Sequence, residues 1–157
     1  MSVLGELQPN KVFKYFEEIC SIPHGSRNLQ QISDYLVDFA KAHELKYRQD
    51  EDLNVIIWKD GSKGYEASEP VILQGHMDMV AVKEADCDKD MEKEGLDLEI
   101  NGDYISAKGT SLGGDDGIAV AYTLAVLDDE EMAHPPIEAI FTVNEEIGML
   151  GAATIDV

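Results

Sequence analysis

The sequence predicts an α/β domain built on a mixed sheet, and two patterns carry that prediction. The short apolar runs at residues 71–74 and 137–143 read as buried strands, and a strongly apolar helix at residues 118–127 lies between them. Ahead of them come two amphipathic helical stretches and a pair of strands joined by a turn. A chain of 157 residues, 44% of them apolar, is long enough for one domain with its own core. It shows no internal repeat and no linker.

The elements follow in order. Val12, Phe13, Phe16, Ile19 and Cys20 recur at three- and four-residue intervals and predict a helix over residues 10–22, started at Pro9-Asn10 and stopped by Pro23. Ile32, Leu36, Phe39 and Ala40 form the buried stripe of a second helix over residues 28–43. Residues 45–48 and 54–58 read as strands, the second closed by Lys59-Asp60-Gly61-Ser62. The continuously apolar residues 71–74 predict a strand covered on both faces. Weak strands near 97–100 and 104–106 interrupt a charge-rich segment. The acidic run Asp128-Asp129-Glu130-Glu131 is a solvated face, and Pro135-Pro136 introduces the last strand.

The net charge of −20, from 32 acids and 12 bases, argues against nucleic acid or an anionic membrane surface as a partner. Cys20 and Cys87 form no C-x-x-C pair, as expected for reduced thiols. No signal-peptide pattern and no apolar run of membrane-spanning length occurs, so a cytoplasmic location is expected.

Each of three apolar runs ends in side chains that bind metals: His76-Met77-Asp78, Gly113-Gly114-Asp115-Asp116-Gly117 and Asn144-Glu145-Glu146. In an extended chain, His76 and Asp78 point the same way. His76 can then bind a metal while the Asp78 carboxylate holds the far imidazole nitrogen and fixes the tautomer. The glycines around Asp115 permit close approach, and a carboxylate there can bridge two metals. If the last strand ends near Asn144, one of Glu145 and Glu146 can bind metal while the other acts as general base on water.

Each cluster also has a plain structural explanation: a lone histidine beside a turn, an aspartate at a helix start, a solvated acidic loop. Three together, with His76, Asp115 and Glu145 spaced 39 and 30 residues apart, favour a site. That spacing leaves room for a crossover between each pair. Asp86, Asp88 and Asp90 resemble the start of a calcium loop, but Met91 and Asp97 occupy positions where Gly and Glu are needed. Phosphate-binding glycine motifs and a serine or cysteine triad are absent. His43 ends a helix, where positive charge is welcome, and reads as structural, while His24 and His134 lack a carboxylate in ligand spacing and read as structural or exposed.

Across essentially its whole length the chain resembles the N-terminal part of M20-family metallopeptidases, most closely the aminoacyl-histidine dipeptidases. The matching stretches lie at residues 22–28, 73–80, 109–118, 135–138 and 141–148. The resemblance implies a three-layer α/β/α catalytic domain of the zinc-peptidase type, of which residues 1–157 are the N-terminal portion. It implies two divalent metal ions, zinc with cobalt or manganese as substitutes. His76 would bind one metal, Asp115 would bridge, and Glu146 would bind the second. Asp78 would orient His76, and Glu145 would be the general base. It further implies a cis peptide at Asp115-Asp116 and hydrolysis of small peptide substrates, dipeptides with C-terminal histidine in particular.

The family pattern has a further aspartate and a distant histidine that this sequence, ending at Val157, does not contain. Three protein ligands, one of them shared, leave two metals short of donors. The expectation is therefore a chain with weak or single-metal occupancy and little peptidase activity of its own. A homo-oligomer is compatible with the unpaired sheet edges this would leave. A non-catalytic metal-binding or interaction module on the same scaffold, or another M20 peptidase or acyl-amino-acid hydrolase, is the alternative.

Overall fold

The computed structural model describes residues 2–156. In chain order its elements are α1 (Asn10–Cys20), α2 (Gln30–Ala42), β1 (Lys46–Gln49), β2 (Val55–Lys59), β3 (Val71–His76), β4 (Leu98–Asn101), β5 (Tyr104–Ala107), α3 (Gly114–Leu127), β6 (Ile137–Thr142) and α4 (Leu150–Thr154). The main sheet has the order β1-β2-β6-β3. β1 and β2 pair antiparallel, as do β2 and β6, whereas β3 runs parallel to β6, so the sheet is mixed. β4 and β5 form a separate antiparallel hairpin.

The predicted helical stripes are the buried ones. α1 turns Val12, Tyr15, Phe16, Ile19 and Cys20 inward, and α2 buries Ile32, Leu36, Phe39 and Ala40, with Ser33 and Val37 beside them. α1 ends at Cys20, short of the predicted limit, and the chain leaves it through a tighter turn in which the Ile22 N–H bonds the Ile19 carbonyl ahead of Pro23. α1 packs on α3, α3 on β3, and α2 on β1 and β2. Their apolar faces meet one side of the sheet, where Val55 pairs with Phe141 and Ile57 with Ala139, all four fully buried. At about 25 cal/mol per Å² of apolar area, this face is the main stabilising contribution.

On the opposite side, Ile56, Ile140 and Gln74 share a row, and the short α4 approaches it. Gly151 of α4 lies so close that a Cβ there would meet Val143 backbone atoms at 2.6 Å and Asn54 Oδ1 at 2.3 Å. The Asn54 side chain, buried behind the end of β6, accepts the Val143 N–H at 3.1 Å. The expectation that residues 71–74 are covered on both faces fails. β3 lies at the edge of the sheet, with Val71 and Ile72 exposed, and an apolar run alone does not tell a central strand from an edge strand.

Lys59 ties the sheet to α3. Its Nζ donates to the carbonyls of Val126 (3.3 Å), Leu127 (2.9 Å) and Asp129 (2.6 Å), satisfying acceptors at the C-terminal end of the helix.

Candidate metal centre

Parallel pairing puts the C-terminal ends of β3 and β6 at one edge. His76 stands level with Thr142, and Met77 N–H donates to Thr142 O at 2.8 Å just beyond. The cluster at residues 113–117 differs from the other two, because it follows a loop and opens α3 instead of ending a strand. Gly113 turns the chain there with φ 68°, and Asp115 and Asp116 stay outside helical geometry. The Asp115-Asp116 peptide is cis, as the resemblance implies. Asp116 Oδ2 accepts the His76 N–H at 3.3 Å, which fastens the helix start to the end of β3. β6 ends at Thr142, Asn144 takes φ 54°, and the N–H groups of Gly148 and Met149 turn back to Glu145 O. That turn brings Glu145 and Glu146 to the same edge.

The chain thereby assembles donors from three places. Ligand atoms of His76, Asp115 and Glu146 all lie within 4.8 Å of one another, the one such group among the described residues. His76 Nε2 is 3.2 Å from Asp115 Oδ1 and 3.7 Å from Glu145 Oε2. His76 is buried, whereas the Asp115 side chain is 88% exposed. Two open clefts flank the group. One of about 500 Å³ is lined by His76, Asp115 and Glu145 with Gln74 and Met149; another of about 840 Å³ has Ser26, Arg27 and Glu146 in its wall.

Asp78 is placed differently from the expectation. Its main-chain carbonyl, at 2.9 Å, is the nearer partner of His76 Nδ1, and its carboxylate stands at 3.5 Å. The carboxylate, 1% exposed, instead accepts the Glu145 N–H at 2.9 Å, the Glu146 N–H at 3.4 Å and the Ser26 hydroxyl at 2.7 Å. It therefore ties the glutamate turn to the end of β3.

The electrostatics follow from this crowding. Burial pulls the His76 imidazole down, but its bonds to the Asp78 carbonyl and Asp115, and the fields of Asp78 and Asp116, outweigh that and leave it raised. Burial, and then the neighbouring Asp115 charge, raise the Asp116 carboxyl despite its bond from the His76 N–H. A carbonyl only accepts, so His76 Nδ1 carries a proton, and Nε2 is the nitrogen turned towards the Asp115 and Glu145 carboxylates. Such a cluster can hold a cation at its centre. Imidazole with carboxylates suits zinc, cobalt or manganese, so the residues present fit a divalent metal.

The other histidines sit apart from this group. His24 is buried with Nδ1 2.6 Å from Ile22 O, and burial, partly offset by that bond and by Asp78, lowers its pKa. His43 caps α2 against Phe39 and Asp128, and His134 Nδ1 meets Pro135 O at 2.8 Å. Ser26 is a site neighbour that residue-type and spacing arguments missed, whereas Asp116 and Asn144 lie in the clusters they named but were given no contact of their own. Asn144 Oδ1 accepts the Arg27 N–H at 2.8 Å. The only signal for Ser26 was that it falls inside a stretch shared with the family.

No protein-family model matches the chain. It is 41% identical over 152 residues to the cytosol non-specific dipeptidase of Escherichia coli, covering 97% of this chain and 31% of that protein. The crystal structure of an aminoacylhistidine dipeptidase from Vibrio alginolyticus superposes with a TM-score of 0.95 at 39% identity, over 98% of this chain and 31% of that one. A Staphylococcus aureus tripeptidase, 24% identical, shares the fold with a TM-score of 0.76, over 97% of this chain and 41% of that one. The chain spans about a third of the length of the two dipeptidases it matches. With the mixed α/β fold and these identities over nearly its full length, the chain is homologous to the aminoacylhistidine and cytosol non-specific dipeptidases of the M20 family.

Proposed function

We propose that this chain supplies the general base and part of the metal centre of a di-metal dipeptidase. The observation carrying this reading is that His76, Asp115 and Glu146 converge within 4.8 Å while the Glu145 carboxylate stands 3.7 Å from His76 Nε2. His76, Asp115 and Glu146 would hold the divalent metal, zinc or alternatively cobalt or manganese, with Asp115 shared between two ions. Such an ion polarises the scissile carbonyl and lowers the pKa of water.

The remaining work falls to the chain's own groups. Glu145, exposed enough to meet solvent in its cleft, takes a proton from the attacking water and delivers it to the leaving amine. Asp78 holds the turn that carries both glutamates and presents its carbonyl to His76, keeping the imidazole in one tautomer. The substrates are small peptides, dipeptides foremost and Xaa-His among them. The names of the Escherichia coli and Vibrio alginolyticus relatives support this class. Among the described residues no helix is long and apolar enough to cross a membrane, and a cytoplasmic enzyme is the reading in keeping with a relative named for the cytosol.

The test is Glu145→Gln in a protein spanning the relatives' full length. Metal content by elemental analysis should stay at the wild-type level, and dipeptide turnover should fall about 100-fold or more. Turnover near wild type would remove Glu145 from the role of base.

A further inference from the structure

We propose that Ser26 is a positioning residue of the metal centre, acting through Asp78; this rests on the metal-site reading above. The Asp78 carboxylate has three hydrogen-bond donors, and two of them are the main-chain N–H groups of the glutamates it holds. The third is the Ser26 hydroxyl, the shortest of the set at 2.7 Å and the one donor from outside the metal-binding motifs. On Oδ2 its companion is the Glu146 N–H at a long 3.4 Å, so the direction of that oxygen depends on Ser26.

The segment carrying Ser26 is itself firmly held. Met79 N–H donates to His24 O at 3.1 Å, Ser26 N–H to Met79 O at 3.2 Å and Asn28 N–H to Gly25 O at 2.8 Å. Gly25 lies against Ala81 so closely that a Cβ would come within 2.7 Å of the alanine Cβ. On its other side the Arg27 N–H reaches Asn144 Oδ1. The loop therefore bridges the two strand exits that carry His76 and Glu146, and the Ser26 hydroxyl transmits its position to the carboxylate between them. Without that hydroxyl, Asp78 Oδ2 keeps only the long bond from the Glu146 N–H, so the carboxylate is held by Glu145 N–H alone at short range and its grip on the glutamate turn loosens.

Ser26→Ala and Ser26→Thr in this chain test the proposal by calorimetric titration with Zn²⁺, with His76→Ala as reference and the metal-free melting temperature followed in parallel. Ser26→Ala should weaken Zn²⁺ binding about tenfold, in the range for residues that orient ligands. Ser26→Thr, which keeps the hydroxyl, should restore it to within about threefold of wild type, by the same scale. If His76→Ala abolishes binding while Ser26→Ala binds as wild type, the proposal is wrong and the metal centre stands. A lowered melting temperature with unchanged affinity makes Ser26 merely structural and also overturns it. If His76→Ala binds Zn²⁺ as tightly as wild type, the metal-site reading falls and takes this proposal with it.

Discussion

Gly151→Ala puts a single methyl group where the structure has no room for one. The new Cβ would stand 2.3 Å from Asn54 Oδ1 and 2.6 Å from both the N and the O of Val143. Two of those three atoms are backbone of the segment leaving β6, so a side-chain rotation cannot relieve the clash. The helix α4 must move outward instead. That movement strains or breaks Gly151 N–H to Val143 O at 2.9 Å and the weak Asn54 Nδ2 to Gly151 O bond at 3.4 Å, and it disturbs Val143 N–H to Asn54 Oδ1 at 3.1 Å. Overpacking of this kind costs about 1–3 kcal/mol, and each lost bond about 1 kcal/mol, so a loss near 3 kcal/mol is expected. For a domain of this size that is a drop of roughly 6–12 °C in melting temperature. Gly102→Ala is the control: its φ of 61° imposes backbone strain, but a Cβ there meets nothing within 4 Å. Thermal melts of the metal-free chain followed by circular dichroism compare the two. A Gly151→Ala variant within about 0.5 kcal/mol of wild type, the usual scatter for surface changes, would show that α4 does not brace the end of β6.

Two further outcomes follow from the site and its surroundings. Zn²⁺ at a hundredfold excess over its dissociation constant should stabilise the folded chain by about 2.7 kcal/mol, readable as a rise in melting temperature. Asp115→Asn should shrink that rise, and an unchanged rise would place the metal elsewhere. The buried His24 imidazole is held below its usual value, so as pH falls through the ordinary histidine range near 6.5 the unfolded chain takes up the proton first. His24 therefore withdraws stability as the solution is acidified, and the difference in denaturation free energy between wild type and His24→Asn should shift against wild type below about pH 6.5. A pH-independent difference would contradict the burial argument.

Much of the site was legible because its chemistry lies in residue type and spacing. Residue type and spacing point to His76, Asp115 and one of Glu145 and Glu146, the resemblance implies Glu146, and the turn expected near Asn144 is where the chain bends. What escaped were features set by the partner, not by the segment itself. Residues 71–74 have the composition of a central strand, yet which strands flank them depends on chain far away in sequence. The Asp78 carboxylate was expected on His76 because the i, i+2 rule considers one strand. Its actual donors come from residue 26 and from the turn after β6. α4 has five residues and no amphipathic stripe long enough to be recognised, and its place is set by contact with Asn54 and Val143.

The lysine at the end of β2 has a mechanical consequence for the metal centre. α3 carries Asp115 just ahead of its first regular turn and is gripped at the other end by Lys59, with about 15 Å of regular helix from Gly117 to Leu127 at 1.5 Å per residue. A rod of that length turns small angles into useful distances: a tilt of about 3° at the gripped end swings Asp115 by roughly 1 Å. For Asp115 and His76 to share an ion, as proposed, the tolerance on that tilt would be only a few degrees. A lysine far from the candidate centre thus shares, with the Asp116 bond at the near end, in holding Asp115 in place, and sequence changes at that anchor should be felt at the far end of the rod.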